Sequence, residues 1–395
     1  MDTSDIGTER ASGPLTGIKV LDLTHVAAGP FATMLLADMG ADVIKIERPE
    51  RGDSARQMDQ SIRGTDSGYY LGLNKNKRSI AVDLSTDEGR RIITSLASSA
   101  DVFVENLRPG AAERLGLGYE AVAAIKPDIV YCSISGFGEL GHLRDGIAYD
   151  IIGQALSGIM SITGDADRPP AKCGAPVADL TSGMFAALGI VAALNHRIRT
   201  GQGQYVGTSL IGASAALLSS YVTSQALGTP FNRVGSAHNT LAPYQAFRGS
   251  DGKFFIVAAG NDQFFAAVAE AVGHPELNDD PRYLTNAQRS HNREQLAKEL
   301  QRIFDSRPAR HWIKLLDSAG VPVSPIYDIT EMVAEDQMRV NGYIIEVDQP
   351  GIGRLPMVVT PLTFSATPVS VRRHAPGLDE NRDEVMRIVQ DPQRW

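Results

Sequence analysis

The chain has 395 residues, of which 38 are basic and 46 acidic, giving a formal charge of −8. Apolar residues make up 43% and charged residues 21%, near the globular average, which excludes fibrous and disordered classes. An acidic chain without a basic block is a poor nucleic-acid or anionic-membrane binder as a whole, although a local basic pocket could still take a phosphorylated ligand.

The two cysteines, Cys132 and Cys173, cannot build a disulfide framework or a cysteine-based zinc site, and a reducing compartment is expected. Residues 1–14 are polar, with no apolar core after a basic start, so no secretory signal is expected. The longest near-apolar run, Met184–Leu194, falls short of the roughly 18 residues of a membrane span. The expectation is a soluble, cytoplasmic protein of two to three domains.

The first third alternates strands and helices. Ile18–Thr24 reads as a strand, Phe31–Met39 as a helix with Pro30 in its first turn, and Asp42–Glu47 as the next strand. The unit repeats as helix Thr86–Ser99 and strand Asp101–Asn106, then helix Tyr119–Ile125 and strand Asp128–Ser135. Such alternation predicts an α/β fold with parallel βαβ units and a doubly wound sheet. A long alanine-rich helix is expected over about 180–200, a strand over Gln204–Leu210 and a helix over about 212–226.

Gly228-Thr229-Pro230 marks a domain boundary. A hairpin is expected from Tyr244–Phe247 and Lys253–Ala258, then helices near Asp262–Val272, Arg289–Asp305 and Pro308–Ala319. Val321–Pro325 reads as a second linker, and a strand-rich tail follows. The expected division is a large domain over 1–228, a small domain over 229–325, and a return to the large domain over 326–395.

Gly136-Phe-Gly138-Glu-Leu-Gly141 matches GxGxxG, but no good helix start follows and it comes late in the sheet. It reads as a flexible glycine loop able to cover a site. Asn74–Ser79 is either a solvated basic turn or a phosphate-holding cluster through Lys77 and Arg78. Arg48 and Arg108 follow strands directly, and Arg114 lies just beyond. Open parallel sheets bind ligands beyond the carboxyl ends of their strands, so these cations are candidates for an anionic, phosphorylated ligand. Asp179 is either the N-cap of the alanine-rich helix or a functional carboxylate at its start. His25 is either an acid/base group or a satisfied core histidine. No spacing of His, Asp or Glu resembles a metal site, and no Gly-x-Ser-x-Gly elbow or P-loop is present.

Together these stretches resemble the class III CoA-transferases, the family of formyl-CoA transferase, carnitine CoA-transferase and α-methylacyl-CoA racemase. The resemblance is carried by Pro14–Pro30, Gly40–Pro49, Gly52-Asp53, Asn76–Ile80, Val104–Gly110 and Thr200–Gln204, and spans about residues 14–390. It implies a Rossmann-like large domain built from both ends of the chain, a smaller α+β domain, and an interlocked homodimer. The family's nucleophile sits in a Gly-x-Pro-hydrophobic-x-Asp context, here Gly174-Ala-Pro176-Val-Ala-Asp179, so the resemblance assigns catalysis to Asp179. It places CoA contacts on Arg48, Lys77, Asn106, Leu107 and Arg114.

Two departures separate this chain from other branches. Ala27 stands where formyl-CoA transferase has glutamine, and the run of consecutive glycines before the small domain is absent, which argues against an oxalate-specific enzyme. The racemase branch has a histidine thirty positions before its aspartate, where this chain has Tyr149. Tyrosine, with a reference pKa of about 10, is a poor proton shuttle at neutral pH, so transfer is favoured and epimerisation is the alternative.

Gly235–Phe247 and Ala258–Phe264 are similar to the succinyl-CoA:dicarboxylate branch, such as the glutarate enzyme. The implied reaction moves CoA from an acyl-CoA, succinyl-CoA in this branch, to a carboxylic and in particular a dicarboxylic acid through an aspartyl-CoA thioester. It needs no redox cofactor and no metal, CoA thioester being a substrate. Acyl-side candidates are His25, Tyr149, Arg56, Arg63 and His238. Gly136–Gly141 and Gly260 are candidates for stabilising the oxyanions.

Overall fold

The computed structural model describes residues 13–59, 61, 64 and 66–395. Arg63 lies outside the described residues. The chain divides into two compact units. Unit 1 runs to Gly158 and includes Cys173–Ser219 and Glu335–Trp395, while unit 2 comprises Ile159–Lys172 and Ser220–Ala334.

Unit 1 is built on six parallel strands: β1 (Lys19–Leu23), β2 (Asp42–Glu47), β3 (Lys77–Ala81), β4 (Val102–Glu105), β5 (Val130–Ser135) and β6 (Gln204–Ser209). Their spatial order is β3-β2-β1-β4-β5-β6, so the chain reverses its direction of growth between β1 and β4. β1, β2 and β4 are short, rich in Val, Leu and Ile and buried on both faces, as covered parallel sheets require, with the charged Asp22, Lys45, Glu47 and Glu105 buried among them.

The crossover segments hold α1 (Ala28–Asp38), α2 (Gly68–Asn74), α3 (Asp87–Ser99), α4 (Ala111–Arg114), α5 (Tyr119–Ile125), α6 (Asp150–Leu156), α7 (Val177–Thr200) and, after β6, α8 (Leu210–Ala216). The Thr86 side chain caps α3 by accepting from Gly89 N, with Asp87 and Glu88 in its first turn, the expected start chemistry.

α7 is one continuous helix of 24 residues, ended by Gly201 in the left-handed conformation. It is long and apolar enough to cross a bilayer by composition, a length that counting unbroken apolar residues underestimates. Its inner face instead packs in the core with α1, β5 and β6. Gly183 makes the α1 contact possible, because a Cβ there would stand 2.6 Å from the Ala28 carbonyl oxygen.

β3 departs from the expected solvated turn. Lys77, Arg78 and Ser79 are buried, as is Lys75 just before them. Each lysine has an acidic partner: Lys77 with Asp22 at 3.1 Å and Lys75 with Asp38 at 3.1 Å, while Arg78 bridges Asp42 and Glu384. Burial pushes the Lys77 ammonium down to about 8 against the pull of Asp22. The C-terminal segment returns to this edge, where the Asn76 side chain accepts from the N–H groups of Arg372 and Arg373.

Unit 2 contains an antiparallel sheet of β7 (Tyr244–Arg248), β8 (Phe254–Ala258) and β9 (Val323–Pro325). Val321–Pro325 is therefore not a linker: Val323 pairs with Val257 and Pro325 with Phe255. Phe247, Phe255 and Trp312 pack edge-on against Phe304 with centroids 5.0–5.3 Å apart, and the Trp312 indole donates to the Phe304 carbonyl. Residues 159–172 belong to this unit, which a boundary at 228 does not anticipate. The helix expected over 212–226 is broken into α8 and Ser219–Ala226, and the unit boundary falls at the start of the second piece, after Ser219.

Candidate active site

Ligands of open parallel sheets bind where strand order reverses, because the loops after the two central strands diverge there and leave a crevice. In unit 1 this point lies between β1 and β4. The loop after β1 carries His25–Ala27 and the loop after β4 carries Asn106–Pro109. The Asn106 amide joins them, accepting from His25 N at 2.8 Å and donating to His25 O at 2.9 Å.

The same loop is held from below. Val26 has a φ of 69°, unusual for a β-branched residue, and its N–H donates to the Asp53 carboxylate at 3.0 Å. Asp53 pairs with buried Lys45 at 2.9 Å, and Lys45 also donates to the Thr24 carbonyl. Burial opposes the Asp53 charge, yet Lys45, His25 and the Ala55 N–H hold this carboxyl well below the usual carboxylate range. Gly29 follows this loop in the first turn of α1. A Cβ there would lie 2.2 Å from Thr24 Cβ, so only glycine lets α1 begin so close to β1.

Two clefts open beside this loop. The first, of about 240 Å³, is bordered by His25, Ala28, Arg108, Gly136, Tyr149 and Asp179. The second, of about 480 Å³, is bordered by His25, Arg48, Val82, Leu84, Ser85 and Leu107. His25 and Leu107 form a wall common to both. Burial, then the nearby Lys45 charge, push the His25 imidazolium pKa down, so the ring is neutral at pH 7.

Asp179 is the third residue of α7, not its N-cap, which is Pro176. The first-turn donors are taken instead by Asp150 of α6, which accepts from Ala178 N at 2.9 Å and Asp179 N at 3.4 Å. Burial and the neighbouring Asp150 charge push the Asp179 carboxyl up to about 7. Asp179 is therefore a half-buried carboxylate, destabilised as an anion, facing a cleft at the reversal point.

The structure brings together His25, Arg48, Asn106, Leu107, Tyr149 and Asp179, and it leaves other candidates elsewhere. Lys77 is 1% exposed and spends its donors on Asp22, the Pro30 carbonyl and Asn74, so no ligand phosphate reaches it. It lies at the amino end of β3, whereas Val82–Ser85 beyond the carboxyl end of that strand border the second cleft. Arg56 is also interior: it makes a two-point pair with Glu47, a second pair with Asp66, and stacks 3.8 Å above Tyr70.

Arg114 ends α4, exposed, with its guanidinium over Gly110 rather than in either cleft. His238 lies in unit 2, where its Nδ1 accepts from Thr240 N and its ring meets Tyr244, so it orders its own loop. Gly136 borders the first cleft, but Gly138 N is already given to Ser135 Oγ.

Sequence reading missed Asp53 and Asp150 as organisers of the site. The available signal for Asp150 was its spacing from Gln154, one helical turn that puts both side chains on one face. Among the described residues, no group of three or more His, Cys, Asp or Glu side chains is placed to hold a metal ion.

The sheet order, with a carboxylate at the point of reversal, defines a Rossmann-like α/β protein of the ligand-binding class. The chain belongs to CoA-transferase family III, whose family model matches residues 15–382, and it is an enzyme of CoA transfer. It is 40% identical to succinyl-CoA:glutarate CoA-transferase of Homo sapiens over 377 residues, covering 95% of this chain and 86% of that protein. It is 38% identical to succinyl-CoA:mesaconate CoA-transferase of Haloarcula hispanica over 384 residues, covering 95% and 96%. A crystal structure of a CAIB/BAIF family protein from Brucella suis superposes with a TM-score of 0.87 at 35% identity, covering 96% of this chain and 100% of that one.

Proposed function

We propose that this enzyme moves CoA from succinyl-CoA to a dicarboxylic acid, with Asp179 as the carrier. The observation that carries the reading is the placement of Asp179, a carboxylate in the cleft at the sheet's reversal point, in a chain of this family. The dicarboxylate acceptor is supported by the relatives named for glutarate and mesaconate.

The Asp179 carboxylate attacks the thioester carbonyl of succinyl-CoA. The C–S bond breaks, CoA thiolate leaves, and a succinyl–aspartyl anhydride remains. Thiolate then attacks the Asp179 acyl carbon, expelling succinate and leaving an aspartyl-CoA thioester. The acceptor carboxylate attacks that carbon and releases thiolate. Thiolate attacks the acceptor carbonyl of the second anhydride, giving the new acyl-CoA and the free Asp179 carboxylate. No electrons are exchanged with a cofactor, and every bond broken is re-formed elsewhere.

The tetrahedral steps need N–H donors at the oxyanion, and Ala28, in the first turn of α1 where backbone N–H groups lack helical partners, borders the cleft. The second cleft suits the CoA nucleotide end: Arg48 offers charge to phosphate, while Val82, Leu84 and Leu107 offer apolar surface. His25, neutral and shared by both clefts, would line the pantetheine path between them.

The same reading includes an interlocked homodimer in the cytoplasm. A second subunit is supported by the apolar surface of unit 1, where Met184, Phe185 and Leu188 of α7 and Ile151, Ile152 and Leu156 of α6 are each more than 40% exposed. A second subunit over this face would also keep water from the anhydride.

The test incubates the enzyme with succinyl-CoA, traps with hydroxylamine and maps the adduct, which should fall on Asp179. Transfer to glutarate should exceed transfer to a monocarboxylate of equal length, and Asp179→Ala should abolish both while remaining folded. Substantial turnover by the Asp179→Ala protein would sink the mechanism. Deuterium uptake at Cα of a 2-methylacyl-CoA would point to epimerisation instead.

A further inference from the structure

α6 and the segment leading into α7 are joined by an unbroken chain of hydrogen bonds. Cys173 N donates to Gln154 Oε1 at 2.8 Å, and Gln154 Nε2 donates to Asp150 Oδ2 at 2.6 Å. The other Asp150 oxygen, Oδ1, accepts from Ala178 N and Asp179 N. Gln154 is fully buried and Asp150 partly so, which shields the amide at the centre of this chain from water. One carboxylate and one amide thus hold both ends of residues 173–179. Gly153 of the same helix keeps α6 close, since a Cβ there would stand 2.8 Å from Ala178 Cβ.

We propose that Asp150 is a positioning residue for the transfer reaction, fixing the first turn of α7 and favouring, by its charge, the uncharged acyl forms of Asp179. The inference rests on the aspartyl-CoA mechanism above and assigns a role that mechanism leaves open.

The physics follows from which state carries charge. Free Asp179 is an anion beside a second anion. Its anhydride and its CoA thioester are neutral. Forming either one removes the repulsion from Asp150 and the cost of holding a buried charge. A first-turn carboxylate would ordinarily be welcome at a helix N-terminus, but here Asp150 already occupies those donors. Asp179 is therefore left as a more basic, more reactive carboxylate that gains by acylation, in keeping with its raised pKa.

Other groups near Asp179 are Tyr69 of α2, whose phenol is pushed up to about 12 by burial and then by the Asp179 and Asp150 charges, and His25, Arg108 and Tyr149 around the cleft. Among the described residues only Arg108 of these is cationic at neutral pH, and it is exposed. None of them supplies a close, buried countercharge that would cancel Asp150.

The experiment compares wild type with Asp150→Asn and with the double variant Asp150→Asn/Gln154→Glu. The single variant removes the charge but sets two amide donors against each other. The double variant repairs that bond. The new amide at position 150 donates to the new carboxylate at position 154, which still accepts from Cys173 N, and the charge moves one helical turn from Asp179. Two quantities are read: the acid limb of kcat/KM for succinyl-CoA, and the fraction of Asp179 carrying CoA at equilibrium with succinyl-CoA and excess succinate, by intact mass.

In Asp150→Asn the acid limb should move about one pH unit lower, and the adduct-to-free ratio at pH 8 should fall about tenfold, because both report the same charge penalty. The double variant should keep a lowered acid limb while regaining thermal stability, and it decides the matter if the single variant fails to fold. If wild type forms the adduct and the folded variants match it in both readouts, the inference is overturned. If wild type forms no adduct on Asp179, the transfer mechanism falls, and this role with it.

Discussion

The side-chain amide of Asn106 grips the main chain of His25 at both its N–H and its carbonyl, at 2.8 and 2.9 Å, across the gap where the sheet reverses. The two residues are 81 positions apart, yet this pair ties together the two loops that border the first cleft. Asn106→Ala removes both bonds and leaves two main-chain groups without partners. We expect a loss of about 1–3 kcal/mol in stability by urea unfolding, and weaker binding of free CoA by titration calorimetry. Asn106→Asp keeps the acceptor and loses the donor, so it should fall between wild type and Asn106→Ala. Wild-type CoA affinity in folded Asn106→Ala would show that the grip does not shape the cleft.

Arg48 and Lys77 should separate cleanly. Arg48 is exposed at the mouth of the second cleft, so Arg48→Ala should weaken CoA binding about tenfold or more with little change in stability. Lys77→Ala removes the ion-pair partner of buried Asp22, leaving it only the Thr24 and Thr33 donors and the more distant Lys45 charge, and should cost about 3 kcal/mol of stability. CoA titration and chemical denaturation on the same preparations check both. A stable Lys77→Ala protein with selectively weakened CoA binding would contradict the burial argument.

Asp179 should make the enzyme less stable than it could be. Its folded pKa, about 7, lies above the ordinary carboxylate value, so the native state holds a proton that the unfolded chain has released between about pH 4 and 7. Stability from this group is present at low pH and is lost as pH rises through 7. Asp179→Asn carries no charge and escapes that loss. The variant should be more stable than wild type by about 1–3 kcal/mol at pH 8 and no more stable at pH 4, below the full linkage value because Asp179 is partly open to solvent. Urea midpoints at the two pH values decide it, and an equal gain at both would refute a titration origin.

Arg56 anchors the short helical turn Ser54–Gln57 beside the site, with Glu47, Asp66 and Tyr70 around it. Arg56→Met should destabilise by about 3–5 kcal/mol because Glu47 loses its two-point partner in the interior. Arg56→Lys should rescue only part, since a single ammonium cannot reproduce the planar fork. Preference between glutarate and a monocarboxylate should stay unchanged in whatever folded Arg56→Lys protein is recovered. A changed preference would return Arg56 to the acyl side of the reaction.

The parallel α/β architecture was legible from residues alone. The β-branched runs Val20–Leu23, Val43–Ile46 and Val102–Val104 read as buried strands, and the helical stretches between them point to a crossover topology. The order of motifs carried the family resemblance, and that resemblance, not the residues by themselves, pointed to Asp179; the helix starts at Val177, three residues before the expected start at about 180, with Pro176 and not Asp179 at its N-cap. What sequence could not settle was the fate of its charges. Lys77 and Arg56 read as solvated or ligand-binding cations, and only tertiary packing brings Asp22 to one and Glu47 to the other. Whether a charge binds a ligand or another side chain depends on partners far along the chain, 55 positions away for Lys77. The same reason hid Asp150: a carboxylate has no local mark of being a positioning group until folding sets it against the first turn of α7, 28 residues on. Sequence periodicity determines the scaffold because burial of apolar faces is decided locally, while the electrostatics of the site are decided by which distant charges the scaffold leaves together in a place without water.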